Sequence, residues 1–532
     1  MDTNRYPAPA PNVQPGWRLS SVRDPSKLFG ANGMRIGPDG ELYVAQAFGS
    51  QVSALDLDSG AARTVVAVGS DVVAPDDLAF DSHDVLYMTE VMNGRVSAQS
   101  PNGEVRVIAD NVPVANGITI HNDRIFMDEF RVGGRILELF ADGSPPRVIA
   151  DDLIMPNALA MGPDGALYFP QVSQGEIWRV ATNGGSPERV IAGLALPTAV
   201  KFNPQGELFT VEGGSGDISQ IDLQTRTRKV VATVRPGIDN FTFTPDGRLF
   251  VSHFVDGGVA EIGRNGEERI LASAGLLGPF GLAAADDGTL YIADGMSLAI
   301  IGSDGSLAAR PALLVNHDFP GFVRGVAIAP GGGCYLTTTA GTIARWRAGK
   351  EIQVIGSDLG NISGITVAPN GNLLACVTDN GEVLQVTPAG KVSTLARGLK
   401  TPLGVAAAAD GSCFVAQAAG GTVVHLGGGD PTVVIKGLSE PHGVAVSGDS
   451  LFVLDRATKS LVYYDHETGQ SITVATDLPI GSEPGLTPKI LPGIAGLLPG
   501  PLLPFADLAA TRDGRILISA DGAGAVISIS RC

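Results

Sequence analysis

A short sequence phrase, a turn built on Gly and Asp followed by an apolar strand, recurs from one end of the chain to the other. It reads GPDGELYV at 37–44, GPDGALYF at 162–169 and TPDGRLFV at 244–251. With the third residue of each turn as a marker, twelve copies, several of them degenerate, fall at 39, 84, 123, 164, 205, 246, 287, 332, 370, 410, 449 and 513. Most steps are close to 41 residues. A period of about 40 with several short strands per copy is typical of β-propeller blades.

Each copy contains four short segments with the composition of strands. In the fourth copy they are residues 158–161, 166–171, 176–181 and 188–192, rich in aliphatic residues and bounded by Gly, Asn, Asp or Pro. No comparable stretch has a sustained helical period, so the sequence predicts an all-β chain.

Twelve blades exceed one ring, since natural propellers typically hold four to eight. We expect two six-bladed β-propellers, about twelve four-stranded blades in all, over residues 17–275 and 276–532, after a flexible Pro-rich segment at 1–16. The last copy stops after its third strand, 525–530, so residues 17–22 are expected to complete it and hide an open edge. Two partitions remain open: blades 1–6 with 7–12, or the twelfth blade joined to blades 1–5 while blades 6–11 form the other ring.

One insertion breaks the rhythm between the eleventh and twelfth markers, where the step is 513 − 449 = 64 residues. The excess at 478–505 is rich in Pro, Gly and Leu, and its Pro spacing and Lys489 argue against a membrane helix. It is expected to be either a lid over one mouth of a ring or a spacer or dimer contact.

Composition narrows the classes of partner. The net charge of −18 opposes binding to nucleic acid. The four cysteines do not suggest a disulfide framework, and neither a signal pattern nor a membrane span is evident. We expect a cytoplasmic protein that binds a small molecule, with neither nucleic acid nor membrane as a partner.

The first strands of the two halves open on different residues. The first and second strands form a hairpin, so the residue opening the first and the residue ending the second lie on one face, where propellers usually bind ligands. The opening residues of copies 1–6 are polar: Asn32, Asp76, Asn116, Asn157, Thr198 and Asp239, with Asp77 and Asn240 adjoining. Those of copies 7–12 are mixed: Phe280, Arg324, Ser363, Leu403, His442 and Ala506. This contrast within one chain is not explained by what a blade needs in order to fold.

The ends of the second strands form another polar column. In the first half they are Gln46, Glu90, Glu129, Gln171, Glu212 and His253, and in the second half Asp294, Thr338, Val377, Gln417, Asp455 and Ala520. Carboxylates and amide carbonyls converging on one axis would suit calcium, which takes six to eight oxygen ligands. Asn and Asp also open strands simply because they satisfy local backbone groups, and carboxylates at strand ends can form a solvated rim.

Several of these segments resemble the calcium-dependent six-bladed lactonases of the gluconolactonase/regucalcin and paraoxonase group. Residues 75–81 resemble a segment that supplies a metal-binding aspartate, 115–118 and 156–159 one that supplies an asparagine, and 238–241 an Asp-Asn pair that binds calcium. The resemblance implies a Ca²⁺ site formed by Asn32, Asp76, Asn116, Asn157, Asp239 and Asn240. It departs from the group at the first blade, where Asn32 replaces the expected glutamate.

A second, weaker resemblance is to streptogramin (virginiamycin B) lyase. It rests on residues 162–169 and on 441–444, which is similar to the segment around that enzyme's active-site histidine. That family has a single ring of seven blades, so the match is to blade pattern and one residue.

The leading hypothesis is a metal-dependent hydrolase of a lactone or related ester, in which a cation polarises the carbonyl and a nearby base activates water. His253 is the preferred base because it titrates near neutrality, and Glu90, Glu129 and Glu212 are alternatives.

Two other functions remain open. One is a lyase or isomerase centred on His442, with Arg324, Asp455 and Asp294 binding substrate and Asp507, His317 and Asp318 nearby. The other is a non-catalytic binding scaffold, which predicts exposed aromatic residues on a mouth. The mouth columns hold Phe280 as their one aromatic residue, which lends the scaffold little support.

Overall fold

A computed structural model of the chain describes residue 5 and residues 9–309, 311, 321–483 and 485–532. In this part of the chain the strands form twelve four-stranded antiparallel sheets, one with a fifth strand added, and a separate hairpin. Apart from strands, the described residues form two short 3-10 turns, Val172–Gln174 and Ala418–Gly420. The prediction of an all-β chain of propeller blades is confirmed.

The chain divides into two compact units. The first unit is Lys27–Gly275 with Leu486–Leu491, and the second is Met1–Ser26, Leu276–Gly485 and Pro492–Cys532. Blades 1–6 lie in the first unit and blades 7–12 in the second.

The strands of the first unit, blade by blade from the centre outwards, have the following bounds. Blades 1 to 3 are Met34–Ile36, Leu42–Gln46, Gln51–Leu55, Ala62–Val66; Pro75–Phe80, Leu86–Glu90, Arg95–Gln99, Val105–Asp110; and Ala115–His121, Arg124–Glu129, Val132–Leu139, Arg147–Ile154. Blades 4 to 6 are Ala160–Met161, Ala166–Gln171, Glu176–Ala181, Glu188–Ala192; Pro197–Phe202, Leu208–Glu212, Asp217–Asp222, Thr227–Thr233; and Ile238–Phe243, Leu249–His253, Val259–Ile262, Glu268–Ala272.

The second unit repeats this order. Blades 7 to 9 are Pro279–Ala284, Leu290–Asp294, Ser297–Ile301, Leu307–Ala309; Val323–Ile328, Cys334–Thr338, Ile343–Trp346, Gln353–Gly356; and Ile362–Val367, Leu373–Val377, Glu382–Val386, Val392–Ala396. Blades 10 to 12 are Pro402–Ala407, Cys413–Gln417, Thr422–Leu426, Thr432–Lys436; Pro441–Ser447, Ser450–Asp455, Ser460–Asp465, Gln470–Thr476; and Leu508–Ala510, Ile516–Ala520, Ala525–Arg531.

The amino terminus contributes two strands to the second unit. Trp17–Arg23 pairs antiparallel with Ala525–Arg531 and forms the outer strand of blade 12. Asn12–Val13 pairs with Gln470–Thr476 and adds a fifth strand to blade 11. The segment predicted to be a flexible tail therefore contains an ordered strand, because its backbone covers an otherwise open sheet edge.

The recurring turn phrase has a local physical cause. In blade 1, Asp39 Oδ1 accepts the backbone N–H of Glu41 at 3.2 Å, while Oδ2 accepts the hydroxyl of Tyr43 at 3.0 Å. Blade 4 repeats both bonds at Asp164, to Ala166 and Tyr168. The Asp therefore joins the turn to the second strand, which explains its recurrence with Tyr four residues later.

Apolar clusters fill the spaces between neighbouring blades, including the space where each unit closes. In the first unit Met34 and Leu42 of blade 1 pack with Phe250 and Val259 of blade 6. In the second unit a cluster joins blade 7 to blade 12: Leu282, Ile292, Leu517 and Val526. The last blade of each unit thus packs on its first.

The insertion contains the separate hairpin, Leu491–Ile494 paired with Leu498–Leu502. Its residues from 492 onwards belong to the second unit, where Leu503 O accepts a hydrogen bond from Arg324 and Phe505 is fully buried. Within the described residues no helix has the length and apolar character needed to cross a membrane.

Candidate functional site

The first strands of neighbouring blades approach each other closely near the start of the strand. A Cβ added at Gly33 would lie 2.5 Å from the Cα of Asp77 in the next blade. Gly325 and Gly404 meet the backbone of the following blade in the same way, at 2.4 Å and 2.3 Å. The backbones of neighbouring blades are therefore close at these glycines, which leave no room for a side chain.

Three buried carboxylates link successive blades at this level. Asp77 Oδ2 accepts the N–H of Ile118 at 3.1 Å. Asp128 Oδ1 accepts the N–H of Gly117 in its own blade at 3.0 Å, and the N–H of Leu159 in the next blade acts on the same carboxyl, as that of Leu282 acts on Asp507 in the second unit. In each case the N–H group of the next blade belongs to its first strand or, for Leu159, to the residue just before it, so these carboxylates lie where neighbouring blades meet.

Asp76 and Asp239, which open the first strands of blades 2 and 6, form the most charged part of the first unit's centre. Burial raises the pKa of Asp76 well above its usual range, and the nearby carboxylates of Asp239, Asp77 and Asp128 raise it further. Burial and then Asp77 raise the pKa of Asp239 to about 7. Because like charges close together out of water disfavour ionisation, this group of carboxylates favours a proton or a cation among them.

The predicted asparagines surround these carboxylates unequally. Asn32 lies between the two blades, and its Nδ2 donates to Asp76 Oδ1 at 3.3 Å. Asn116 and Asn157 are buried, with 6% and 7% of their surface exposed, and neither amide has a hydrogen bond to a described residue. Asn240 Oδ1 accepts the N–H of Phe241 at 2.8 Å, and its Nδ2 donates to Asp77 Oδ1 at 3.4 Å. Both ends of the Asn240 amide are thus engaged.

A basic pair lies next to the carboxylates. Lys201 is buried, and its Nζ has no hydrogen-bond partner among the described residues. Burial and the nearby Arg35 lower its pKa to about 8, while Asp77 and Asp128 act in the opposite direction. Asp128 Oδ2 is likewise buried and without a hydrogen bond in the described part of the chain, and burial raises the pKa of this carboxyl to about 7. Unpaired buried groups of both signs are costly, which is typical of functional sites.

The carboxylate and amide oxygens at this centre are of the kind that binds calcium. Carboxylates alone would not complete the site. Across the described residues, no three His, Cys, Asp or Glu side chains are arranged to hold a metal ion. A cation among Asp76 and Asp239 would therefore depend on amide oxygens from Asn32, Asn116 and Asn157. Neutral oxygens are ordinary calcium ligands, and the raised pKa values of both carboxyls mean that their charged forms would be stabilised by a cation bound beside them.

The second polar column has a different role from the one predicted. Its side-chain oxygens do not join the carboxylate group; they accept hydrogen bonds from the backbone entering their own blade, 16 or 17 residues earlier. These pairs are Gln46 with Phe29, Glu90 with Val73, Gln171 with Ile154, Glu212 with Ala195, Asp294 with Leu277, Gln417 with Lys400 and Asp455 with Ser439. The column recurs in both units because this link supports seven of the twelve blades.

Two of the glutamates considered as bases are held by arginines. Glu90 is fully buried and pairs with Arg95 at 2.8 Å. Glu129 is also fully buried and pairs with Arg131 at 2.8 Å and with Arg135. The oxygens of both carboxylates are thus engaged by guanidinium N–H groups and are not available to a substrate water.

His253 differs from the other members of its column. Its Nε2 lies 3.2 Å from Arg235 O, so Nε2 carries the proton and Nδ1 bears the lone pair. Nδ1 is buried without a partner among the described residues. Burial lowers the pKa of His253 to about 4, so the ring is neutral at pH 7. Its register partner is Ile238, the residue before Asp239.

The second unit brings Arg324 and His442 together around a residue of the insertion. The Arg324 guanidinium carbon lies 5.9 Å from the centroid of the Phe505 ring, and the His442 ring stacks on the same ring at 6.4 Å. His442 Nδ1 accepts the N–H of Ala506 at 3.3 Å, and Nε2 lies 3.4 Å from Glu440 Oε1. Asp294 and Asp455 are not part of this group, because backbone N–H groups occupy both. His317 and Asp318 lie outside the described residues.

Solved structures similar to this chain include a streptogramin B lyase, 20% identical over 52% of this chain and 94% of that one, with a TM-score of 0.39. The virginiamycin B lyase of Staphylococcus aureus is 18% identical over 52% and 95%, with the same score. A gluconolactonase of Xanthomonas campestris is 18% identical over 47% and 97%, again at 0.39. No family model and no curated protein matches the chain. The two groups that the sequence resembles are thus among its structural neighbours, but at these values the likeness assigns no activity.

Proposed function

We propose that the first unit is a metal-dependent hydrolase of a lactone or related ester, with the residues that open its first strands as the active site. The observation that carries the proposal is the electrostatic effect of the Asp239 carboxylate of blade 6 on the buried Asp76 carboxyl of blade 2, whose pKa it raises. Buried like charges are stabilised when a cation lies between them. The charge of these two residues supports a metal site.

The proposed cation is Ca²⁺. Asp76 and Asp239 would supply its carboxylates, and Asn32, Asn116 and Asn157 its amide oxygens. Bound there, calcium would polarise an ester carbonyl and stabilise the negative charge that develops on its oxygen. Asn240 has a positioning role in this proposal, because its amide is already used to orient Asp77.

The nucleophile in this proposal is water. The one hydroxyl among the opening residues of the first unit, that of Thr198, donates to Ile238 O at 3.1 Å and is thereby engaged. A lactone opened by water needs a base and no covalent intermediate. These features favour hydrolysis over transfer through an acyl-enzyme.

His253 is the base we propose. Its Nε2–H is held by Arg235 O, which leaves the lone pair on Nδ1, and a pKa of about 4 keeps the ring neutral at pH 7 while making it a weak base. His253 would take a proton from a water molecule near Asp239, because its register partner, Ile238, is the residue before Asp239. The arginine pairs of Glu90 and Glu129 make both glutamates weaker candidates.

A lyase or isomerase in the second unit is the other candidate function. The grouping of His442 with Arg324 favours it, but Asp294 and Asp455 already accept two backbone hydrogen bonds each. That mouth therefore has fewer free groups than the sequence suggested, and we favour the first unit.

The proposal is tested by assaying the full chain on a panel of lactones before and after chelation, then after adding back Ca²⁺. Activity should fall with chelator and return with calcium. Asp76→Asn should abolish it, whereas Asp151→Asn, an exposed substitution in the same unit, should not. Lactone hydrolysis that survives chelation and Asp76→Asn would contradict the proposal, as would the absence of hydrolysis across the panel in the calcium-loaded protein.

A further inference from the structure

Arg324 is the largest fully buried side chain with a formal charge, and it has no carboxylate bonded to it among the described residues. Its Nη1 donates to Asn361 Oδ1 at 2.8 Å and its Nη2 to Leu503 O at 3.4 Å, both neutral acceptors. Its Nε has no partner in the described part of the chain. A buried guanidinium normally pairs with an anion, because desolvation of an unpaired charge is costly.

The acid whose charge acts on Arg324 is Asp379, and the side-chain amide of Asn361 lies between the two. Asn361 Oδ1 accepts from Arg324, while Asn361 Nδ2 donates to Asp379 Oδ1 at 3.3 Å. Asp379 is exposed, so solvent largely screens its charge. The guanidinium keeps an unsatisfied donor and an unneutralised charge at the centre of the second unit.

The insertion covers this group through few bonds. Phe505 lies over both Arg324 and His442, Leu503 O accepts from Arg324, and Pro499 O accepts from the Thr339 hydroxyl. We call residues 492–505 the cap, because these contacts place them over Arg324 and His442. The cap places an aromatic ring against the cation, and the apolar residues Phe280 and Leu403 open first strands at the same level.

We propose that Arg324 binds the carboxylate of a small monocarboxylic acid with an apolar body, which enters the second unit when the cap 492–505 opens. The planar guanidinium fork matches a carboxylate, and the Phe505 ring offers an apolar contact for the rest of the ligand. A dianion such as phosphate fits less well, because Glu440 and Asp379 already place negative charge nearby. This site is separate from the proposed hydrolase centre in the first unit.

The test measures the unfolding temperature of the full chain against sodium acetate, hexanoate, decanoate and benzoate, with benzamide as the uncharged counterpart of benzoate. At least one carboxylate should give a saturable rise in Tm in the wild-type chain and in Arg345→Met, whose arginine is on the same blade but donates to the backbone at the surface. Arg324→Met should lose that rise, and benzamide should give none. No saturable rise with any carboxylate, an equal rise in Arg324→Met, or an equal effect of benzamide with benzoate would overturn the proposal.

A measurement on the wild-type chain covers the case in which Arg324→Met does not fold. Hydrogen exchange with the best carboxylate present should slow in the cap 492–505 and in Val323–Ile328. Protection that is absent there, or that occurs only in the first unit, would overturn the proposal equally.

Discussion

The amide of Asn240 donates a hydrogen bond to the carboxylate of Asp77 over 3.4 Å, although 163 residues separate them in the chain. The bond joins blade 6 to blade 2 past blade 1, and it is possible because blade 1 has Gly33 at the equivalent position. A side chain there would occupy the space that Asp77 uses. The centre of the first unit thus depends on one glycine as much as on its acids.

Gly33→Ala should therefore disturb both packing and the candidate site. The added Cβ would lie within 2.6 Å of backbone atoms of Asp76 and Asp77, and such overpacking costs on the order of 1–3 kcal/mol. The free energy of unfolding, measured by denaturant titration, should fall by that amount. Gly429→Ala is the control, since nothing lies within 4 Å of its added Cβ; equal stability of the two variants would contradict the close approach described here.

Glu90→Gln should cost stability rather than catalysis. Glu90 is fully buried, pairs with Arg95 and accepts the N–H of Val73, so removing its charge leaves a guanidinium without its partner, at a cost of about 3 kcal/mol. Glu104→Gln, exposed on the same blade, serves as the matched control. Denaturant titration would measure the difference. If instead activity per folded molecule disappeared while stability stayed unchanged, Glu90 would be catalytic and its structural role would be secondary.

His253 should make the chain lose stability in mild acid. The folded-state pKa of about 4 is below the unfolded value of 6.5, so the unfolded chain binds the proton more readily between those values. Stability from this residue is fully present above pH 6.5 and declines as the pH falls towards 4, by up to about 3 kcal/mol. His253→Gln keeps a donor for Arg235 O and should show a shallower decline. Parallel stability curves for the two proteins over pH 4–7 would be inconsistent with a buried neutral imidazole.

Trp17→Ala should weaken the closure of the second unit. The Trp17 ring packs edge-on against Phe452 at 5.8 Å and lies under the Arg531 guanidinium at 5.2 Å, so it anchors the amino-terminal strand on blades 11 and 12. Truncating a packed Trp costs about 3–5 kcal/mol, less here because the ring is only partly buried. Limited proteolysis should then cleave the amino terminus faster than in the wild-type chain. An unchanged cleavage rate would mean that the strand pairing alone holds it.

Much of the fold could be predicted from the sequence because interactions between residues close together in the chain specify the blade repeat. The Asp39 and Tyr43 pair shows how one turn specifies both its own geometry and its second strand. The pairing of Asn12–Val13 could not be found this way, since two residues carry no periodic signal and their partner is more than 450 positions away.

The sequence showed that the residues opening the first strands of the first unit are polar. It did not show the role of each residue. The metal site predicted at Asp76 and Asp239 stays a prediction, whereas Glu90 and Asp455 serve backbone links that only coordinates reveal. Asp128 and Lys201 were missed. A signal for Asp128 does exist, because it stands one residue before the end of its second strand. Thr89 and Ser252 stand at the same position, and all three side chains accept an N–H from the first strand of their own blade.

The most direct test of the central claim is calorimetric titration of calcium into the chelator-treated full chain and its Asp76→Asn and Asp239→Asn variants. The account predicts one saturable site in the wild-type chain and in Asp151→Asn. It also predicts an affinity at least about tenfold weaker in each of the two central variants, because each removes one of the two carboxylates facing the ion. Calcium binding that is absent from the wild-type chain, or unchanged by both central substitutions, would contradict it.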